Sequence, residues 1–251
     1  MGHIGMMETN ALVWIAIGGF IFFAFTLEAI TGFGSTVVAL SLGALLVPID
    51  SLVPILVPLS LFLSGFMAWR YRPLIDWSLL LRNVLPGMLV GTLVGYGLMP
   101  MMNGALMKRL FGLIIIWFAA SELWRSHQNI AGRPKPVWAV RALILLAGVS
   151  HGLFASGGPL LVYSMADLPL GKLRFRATLA TVWFALNSFL SCIYLMDGQL
   201  LPALPRVASY LPLLLAGLWI GEKLHHRVDE LQFRKATFLL LLVTGSLLVM
   251  P

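Results

Sequence analysis

The chain has 251 residues, 59% hydrophobic and only 11% charged, with a mean hydropathy of +0.93, against the roughly 25% charged residues of a soluble domain. Long apolar stretches recur from residue 11 to residue 250, leaving no loop long enough for a soluble domain and making this an integral membrane protein. The net charge of +7 reads as membrane topology rather than nucleic-acid binding, and the single Cys192, in an apolar run, excludes an intramolecular disulfide or a cysteine metal cluster.

Residues 1–10, MGHIGMMETN, read as a short polar tail without the basic region of a cleavable signal peptide. Ten hydrophobic segments follow, near 11–30, 35–49, 52–69, 79–99, 105–124, 137–155, 158–169, 176–196, 207–221 and 233–250. The first runs into EAITGFGSTVVALSL (28–42), where a glutamate, two threonines and a Gly-x-Gly interrupt the apolar character. The sixth runs into HGLFASGGPLLVYSM (151–165), a similar break. The segments after these breaks, the second and seventh, are short beside the ~20 residues that a spanning helix needs. They are expected to be half-helices, or crossings whose preceding loop dips into the membrane.

If all ten segments cross and the N-terminus lies outside, 14 of the 17 Lys and Arg residues fall on the cytoplasmic side. Only Lys108, Arg109 and Arg206 fall outside. That asymmetry is the positive-inside pattern. Eight crossings with two re-entrant segments is the alternative. The expected organisation is a tail (1–10), a first transmembrane repeat (11–124), a cytoplasmic linker (125–136) and a second repeat (137–251).

The repeat is read by shifting the chain on itself. At an offset of 123, Glu28 meets His151, Gly34 meets Gly157, Ser35 meets Gly158, Ser41 meets Ser164 and Ser64 meets Asn187. At 126, Gly91 meets Gly217, Gly95 meets Gly221, and Lys108-Arg109 meets Arg234-Lys235. Five crossings per half is an odd number, so the second half enters the membrane from the opposite side. The expected fold is therefore an all-α membrane protein of two inverted-topology repeats, a plan used by secondary transporters.

Non-helical backbone inside a membrane persists only against protein or a watery cavity. Two breaks at equivalent places point to a substrate site near the midplane. Each new helix presents unpaired N–H groups and the positive end of its dipole, which suits an anion. The expected substrate-binding residues are Thr31, Gly32, Gly34, Ser35 and Thr36 at the first break and Ser156, Gly157 and Gly158 at the second. Ser64 and Asn187 are added from mid-segment. The glycines are expected to supply positive φ and close approach, and Ser35, Thr36 and Ser156 to supply capping hydroxyls. Pro159 suits the first turn of a helix. Close helix packing is the competing account of such Gly/Ser motifs.

EAITGFGSTVVALSLGALLVPID and HGLFASGGPLLVYSMADL, in a compact basic chain, resemble the TauE/SafE sulfite exporter family. The resemblance implies a bacterial inner-membrane transporter of sulfite, organosulfonates or related small anions, acting outward and coupled to an ion gradient, without a cofactor.

Glu28 and His151 are candidates for a coupling proton, as ionisable groups beside the breaks. An interfacial carboxylate and a buried hydrogen-bonded ring are the competing readings. Arg82 and Arg206 match at an offset of 124 and are candidates for charged vestibules or gates, with snorkelling to headgroups as the alternative. His225 and His226, near Asp229 and Glu230, make a poor metal site, and none is expected. Trp14, Trp69, Trp77, Trp124 and Trp138 read as interfacial anchors. A passive anion channel is the rival function. An intramembrane enzyme would need His151 to act with Ser150 or Ser156.

Overall fold

A computed structural model describes the chain apart from Met1, Gly32, Phe33, residues 129–134, Ala166, Asp167, Pro169, residues 226–229 and Pro251. Among the described residues there are ten helices and no strand: α1 (Gly2–Thr31), α2 (Ser35–Gly43), α3 (Ile49–Arg70), α4 (Trp77–Met101), α5 (Gly104–Gln128), α6 (Val137–Phe154), α7 (Gly158–Met165), α8 (Lys172–Met196), α9 (Leu200–His225) and α10 (Glu230–Val249). Seven of the described helices are long and apolar enough to cross a membrane, and Lys235–Val249 of α10 is a shorter apolar stretch. An all-helical chain meets the requirement that backbone groups in hydrocarbon be satisfied within their own segment.

The ten helices coincide with the ten expected segments, and the differences lie at the ends. α9 starts at Leu200, earlier than the apolar run, and carries Pro205 and Pro212 inside it. The two helices after the breaks are shorter than expected, 9 residues for α2 and 8 for α7. At 1.5 Å per residue these measure roughly 14 and 12 Å, less than half of the ~30 Å hydrocarbon core.

Glycines set the closest helix contacts. A Cβ on Gly91 of α4 would stand 2.3 Å from the Leu145 carbonyl oxygen of α6, and one on Gly95 would stand 2.2 Å from that of Val149. Gly217 and Gly221 of α9 lie on α1 in the same way, 2.9 Å from the Phe22 oxygen and 2.6 Å from the Thr26 oxygen. Leu145 and Phe22 are 123 residues apart, as are Val149 and Thr26. Both offsets read in the sequence therefore recur as one matched contact. The fourth helix of each half packs on the first helix of the other.

The order of these contacts fixes direction. Residue numbers rise together along α4 and α6, and along α1 and α9, so each pair is parallel. α3 and α8 are antiparallel, since Gly65 meets Phe184 while Ser60 meets Asn187. α5 and α10 are also antiparallel, with Gly112 against Leu248 and Phe118 against Phe238. Arg176, near the start of α8, donates to Ala29 O at the end of α1 (3.1 Å), and Asp76 N, just before α4, donates to Thr178 Oγ1 of α8 (3.0 Å). α1 therefore ends on the face where α4, α6 and α8 begin, and α1 and α6 run in opposite directions. Arg70, Arg72, Arg125, Lys135 and Lys223 flank that face; Lys108, Arg109 and Arg206 flank the other.

Candidate functional site

Residues of both breaks line one cavity of about 50 Å³. A single water needs ~10–15 Å³ of such space, so the cavity takes only a small guest. Glu28, Gly34 and Thr36 line it from the first break; His151, Ser156, Gly157, Gly158 and Pro159 line it from the second. Ser60 and Asn187 stand near mid-length on α3 and α8, and Phe118, Trp183 and Phe238 give apolar cover.

At the first break Gly34 is the residue before α2, with φ +101, and a Cβ there would meet nothing within 4 Å. The expected glycine at positive φ is therefore present, and it faces open space. The expected hydroxyl cap is not: the residue before α2 is a glycine, Ser35 Oγ has no hydrogen-bond partner, and a different group reaches the terminus. Glu28 Oε2 accepts the Ser35 N–H at 2.9 Å, across seven residues of chain.

The second break is built differently. Its left-handed residue is Ala155, at φ 50, rather than Gly157 or Gly158, which corrects the expected role of those glycines. Gly157 is small for another reason. A Cβ there would stand 2.4 Å from the Ala147 carbonyl oxygen of α6, so it lets α7 lie against α6. Gly158 is less crowded, with Trp183 at 3.7 Å, and Pro159 follows in the first turn of α7, as expected. Beyond the break the two halves return to one register. Val38 N donates to Gly34 O and Leu161 N to Gly157 O, while Ser41 Oγ donates to Val38 O and Ser164 Oγ to Leu161 O.

Three polar side chains on the cavity wall are buried with unmet hydrogen-bonding capacity. His151 is 1% exposed, its ring stacks on Trp183 at 5.8 Å, and neither ring nitrogen has a partner. Ser156 is 3% exposed and its hydroxyl has none. Asn187 is 2% exposed; its Nδ2 donates to Ser60 Oγ at 3.1 Å while its Oδ1 has none. Turning that amide over lets Ser60 donate to Oδ1 and frees the NH2 group for an anion. Such groups are costly to leave unmet in a dry interior. Hydroxyl and amide donors beside the positive end of a helix are matched to a negatively charged guest.

The other expected residues lie elsewhere. Ser64 is buried in α3 and its hydroxyl donates to Ser60 O at 2.6 Å, away from the cavity lining. Thr31 ends α1, its side chain lies outside the described residues, and Gly32 lies outside them entirely. Arg82 is exposed on the π-helical turn Leu80–Val84, and Arg206 is exposed with its guanidinium 3.9 Å over the Trp14 ring. Neither lines the cavity, and both fit the snorkelling alternative. The His151–serine pair that catalysis would need is not formed, since both ring nitrogens are unpartnered and Ser150 Oγ donates to Ser156 O at 2.7 Å. Among the described residues no three His, Cys, Asp or Glu side chains cluster as metal ligands, and His226 and Asp229 lie outside them.

Ser60 and Trp183 are site residues that the sequence reading passed over. Each lies one helical turn before a residue it did single out, Ser64 and Asn187, and the two match each other at the same offset of 123. Extending the repeat by one turn finds both. Arg176, the first residue of the eighth expected segment, holds the end of α1 and carries no sequence signal of that role.

The model of the family described as Sulfite exporter TauE/SafE matches residues 17–248, across both breaks. The chain belongs to the TauE/SafE sulfite exporter family. A relative named probable inner membrane transporter protein TsaS, from Comamonas testosteroni, is 30% identical over 166 residues, 64% of this chain and 68% of the relative. No solved structure matches the chain. TauE/SafE membership makes this multi-pass membrane protein a transporter rather than an enzyme.

Proposed function

We propose that this transporter carries a small oxyanion, sulfite or an organosulfonate, out of a bacterial cytoplasm, binding it in the cavity between the two broken helices. The observation that carries this reading is the meeting of both breaks at one small cavity whose buried Ser156, Asn187 and His151 have unmet hydrogen-bonding capacity. The anion lies against the start of α7, with Ser156 Oγ and the Asn187 amide as donors. Ser60 holds the amide, and Trp183 orients His151. Equal-order helices of the two halves run in opposite directions, which supports an inverted repeat and alternating access around a fixed site. The basic residues flanking the face where α1 ends support a cytoplasmic assignment for it. Glu28 and His151 carry the coupling proton.

Two measurements test the reading. Asn187→Ala removes one charge-assisted hydrogen bond of ~1.5–3 kcal/mol, so sulfonate or sulfite affinity falls roughly 10- to 100-fold in a protein that stays folded. In proteoliposomes, substrate on the far side stimulates uptake by the wild type, as in a carrier. Unchanged affinity in Asn187→Ala removes the site, and absence of counterflow makes the protein a channel.

A further inference from the structure

The two breaks hold different groups at one register. At the first, Glu28 Oε2 accepts the N–H of Ser35, the first residue of α2, so a carboxylate of the chain already sits where an external anion would. At the second, the register of Glu28 is taken by His151, whose ring nitrogens have no partner. Glu28, the unpartnered Ser156 hydroxyl and Asn187, whose Oδ1 has no partner, line the same cavity.

We propose that Glu28 is a tethered competitor of the transported anion. Its carboxylate fills the anion position at the start of α2, and the substrate takes the corresponding position at the start of α7. Two negative charges in a cavity of about 50 Å³ repel strongly. Substrate therefore enters when Glu28 is protonated or swings out, and leaves when the carboxylate returns to Ser35 N. The inference rests on the anion site proposed above and assigns to Glu28 the link between proton and substrate. The charges around it limit the alternatives. Arg176 donates to Ala29 O, one residue beyond Glu28. On α5, Glu122 is paired with Arg125 at 3.8 Å. Glu222 and Lys223 of α9 and Lys235 of α10 are exposed. His151 is the titratable group on the opposite wall.

The test is methanesulfonate binding to the purified full-length protein, because this anion keeps its charge throughout the range in which carboxylates titrate. Glu28→Gln keeps the shape and an acceptor for Ser35 N but removes the charge. The expected result at neutral pH is tighter binding by Glu28→Gln, by about tenfold or more. Acidification should tighten binding by the wild type more steeply than by the variant. Repeating the comparison in a His151→Gln background removes the titratable group on the opposite wall, so the difference between the two profiles there is the readout. Glu28→Asn gives the same comparison if Glu28→Gln does not fold. A merely structural Glu28 predicts weaker or unchanged binding in the variant, and either result overturns the inference while leaving the anion site standing. Absence of binding by both proteins at every pH overturns the anion site as well. Binding by the variant alone supports the competitor in its strongest form.

Discussion

Near the end of α1 the chain supplies a carboxylate, Glu28, to the start of α2, while near the end of α6 the same register carries His151, whose ring nitrogens have no partner. The first break turns on Gly34 at φ +101, in open space; the second turns on Ala155 at φ 50 and is crowded at Gly157. The two breaks thus differ in what meets them. At the first a side chain of the chain itself caps the new helix. The second packs closely on α6 at Gly157 and leaves the Ser156 hydroxyl without a partner. Similar helix order need not give two equal termini: Glu28 accepts the first N–H of α2, while His151 at its register makes no side-chain hydrogen bond.

The strongest way to break this comparison is to make the second half resemble the first. His151→Glu places a carboxylate beside the start of α7, and sulfonate binding is expected to fall by at least about tenfold, through repulsion and competition for the same donors. His151→Gln, measured in parallel, separates added charge from lost imidazole. If His151→Glu binds as the wild type does, the start of α7 is not the anion position.

A smaller effect distinguishes the two glycines. Gly157→Ala drives a Cβ toward the Ala147 carbonyl oxygen, and overpacking of this kind costs ~1–3 kcal/mol, so the melting temperature falls. Gly34→Ala meets no atom and carries only left-handed strain, about 1 kcal/mol. Its methyl group enters the cavity instead, so binding suffers more than stability. Melting curves with and without methanesulfonate check both, and the opposite ranking would reverse the roles assigned to the two breaks. The smallest effect is at Ala155→Gly, where relief of φ 50 is expected to raise the melting temperature slightly.

The sequence was most informative where side chains are small or missing. Gly91, Gly95, Gly217 and Gly221 repeat at a fixed offset because each must let two backbones touch, and the contacts follow the same offset. The breaks were legible because glycine and polar residues cannot continue an apolar helix without a reason. The cap at Ser35 was not. A carboxylate seven residues upstream reaches the terminus only if the chain folds back at Gly34, and local capping rules look to the adjacent hydroxyl. Ala155 was hidden because left-handed backbone is read from glycine and not from alanine. Ser60 was hidden behind Ser64, one turn away on the same helix, since spacing gives the face of a helix but not the depth at which a cavity opens. Arg82 and Arg206 show that a shared offset need not mark a shared cavity wall, since both are exposed and neither lines the cavity.

The crossed packing of the first and fourth helices also bears on how the chain is made. Gly91 finds its seat at Leu145, about 50 residues later in the chain, whereas Phe22 waits about 200 residues for Gly217. At ~5–20 residues per second of synthesis, the first wait lasts roughly 3–10 s and the second roughly 10–40 s. During that longer interval α1, with its glutamate beside an unfinished break, sits in the bilayer without its final neighbour. The nascent first half therefore has no complete interface of its own, and a chain halted after α5 is expected to be a substrate for membrane quality control rather than half a transporter.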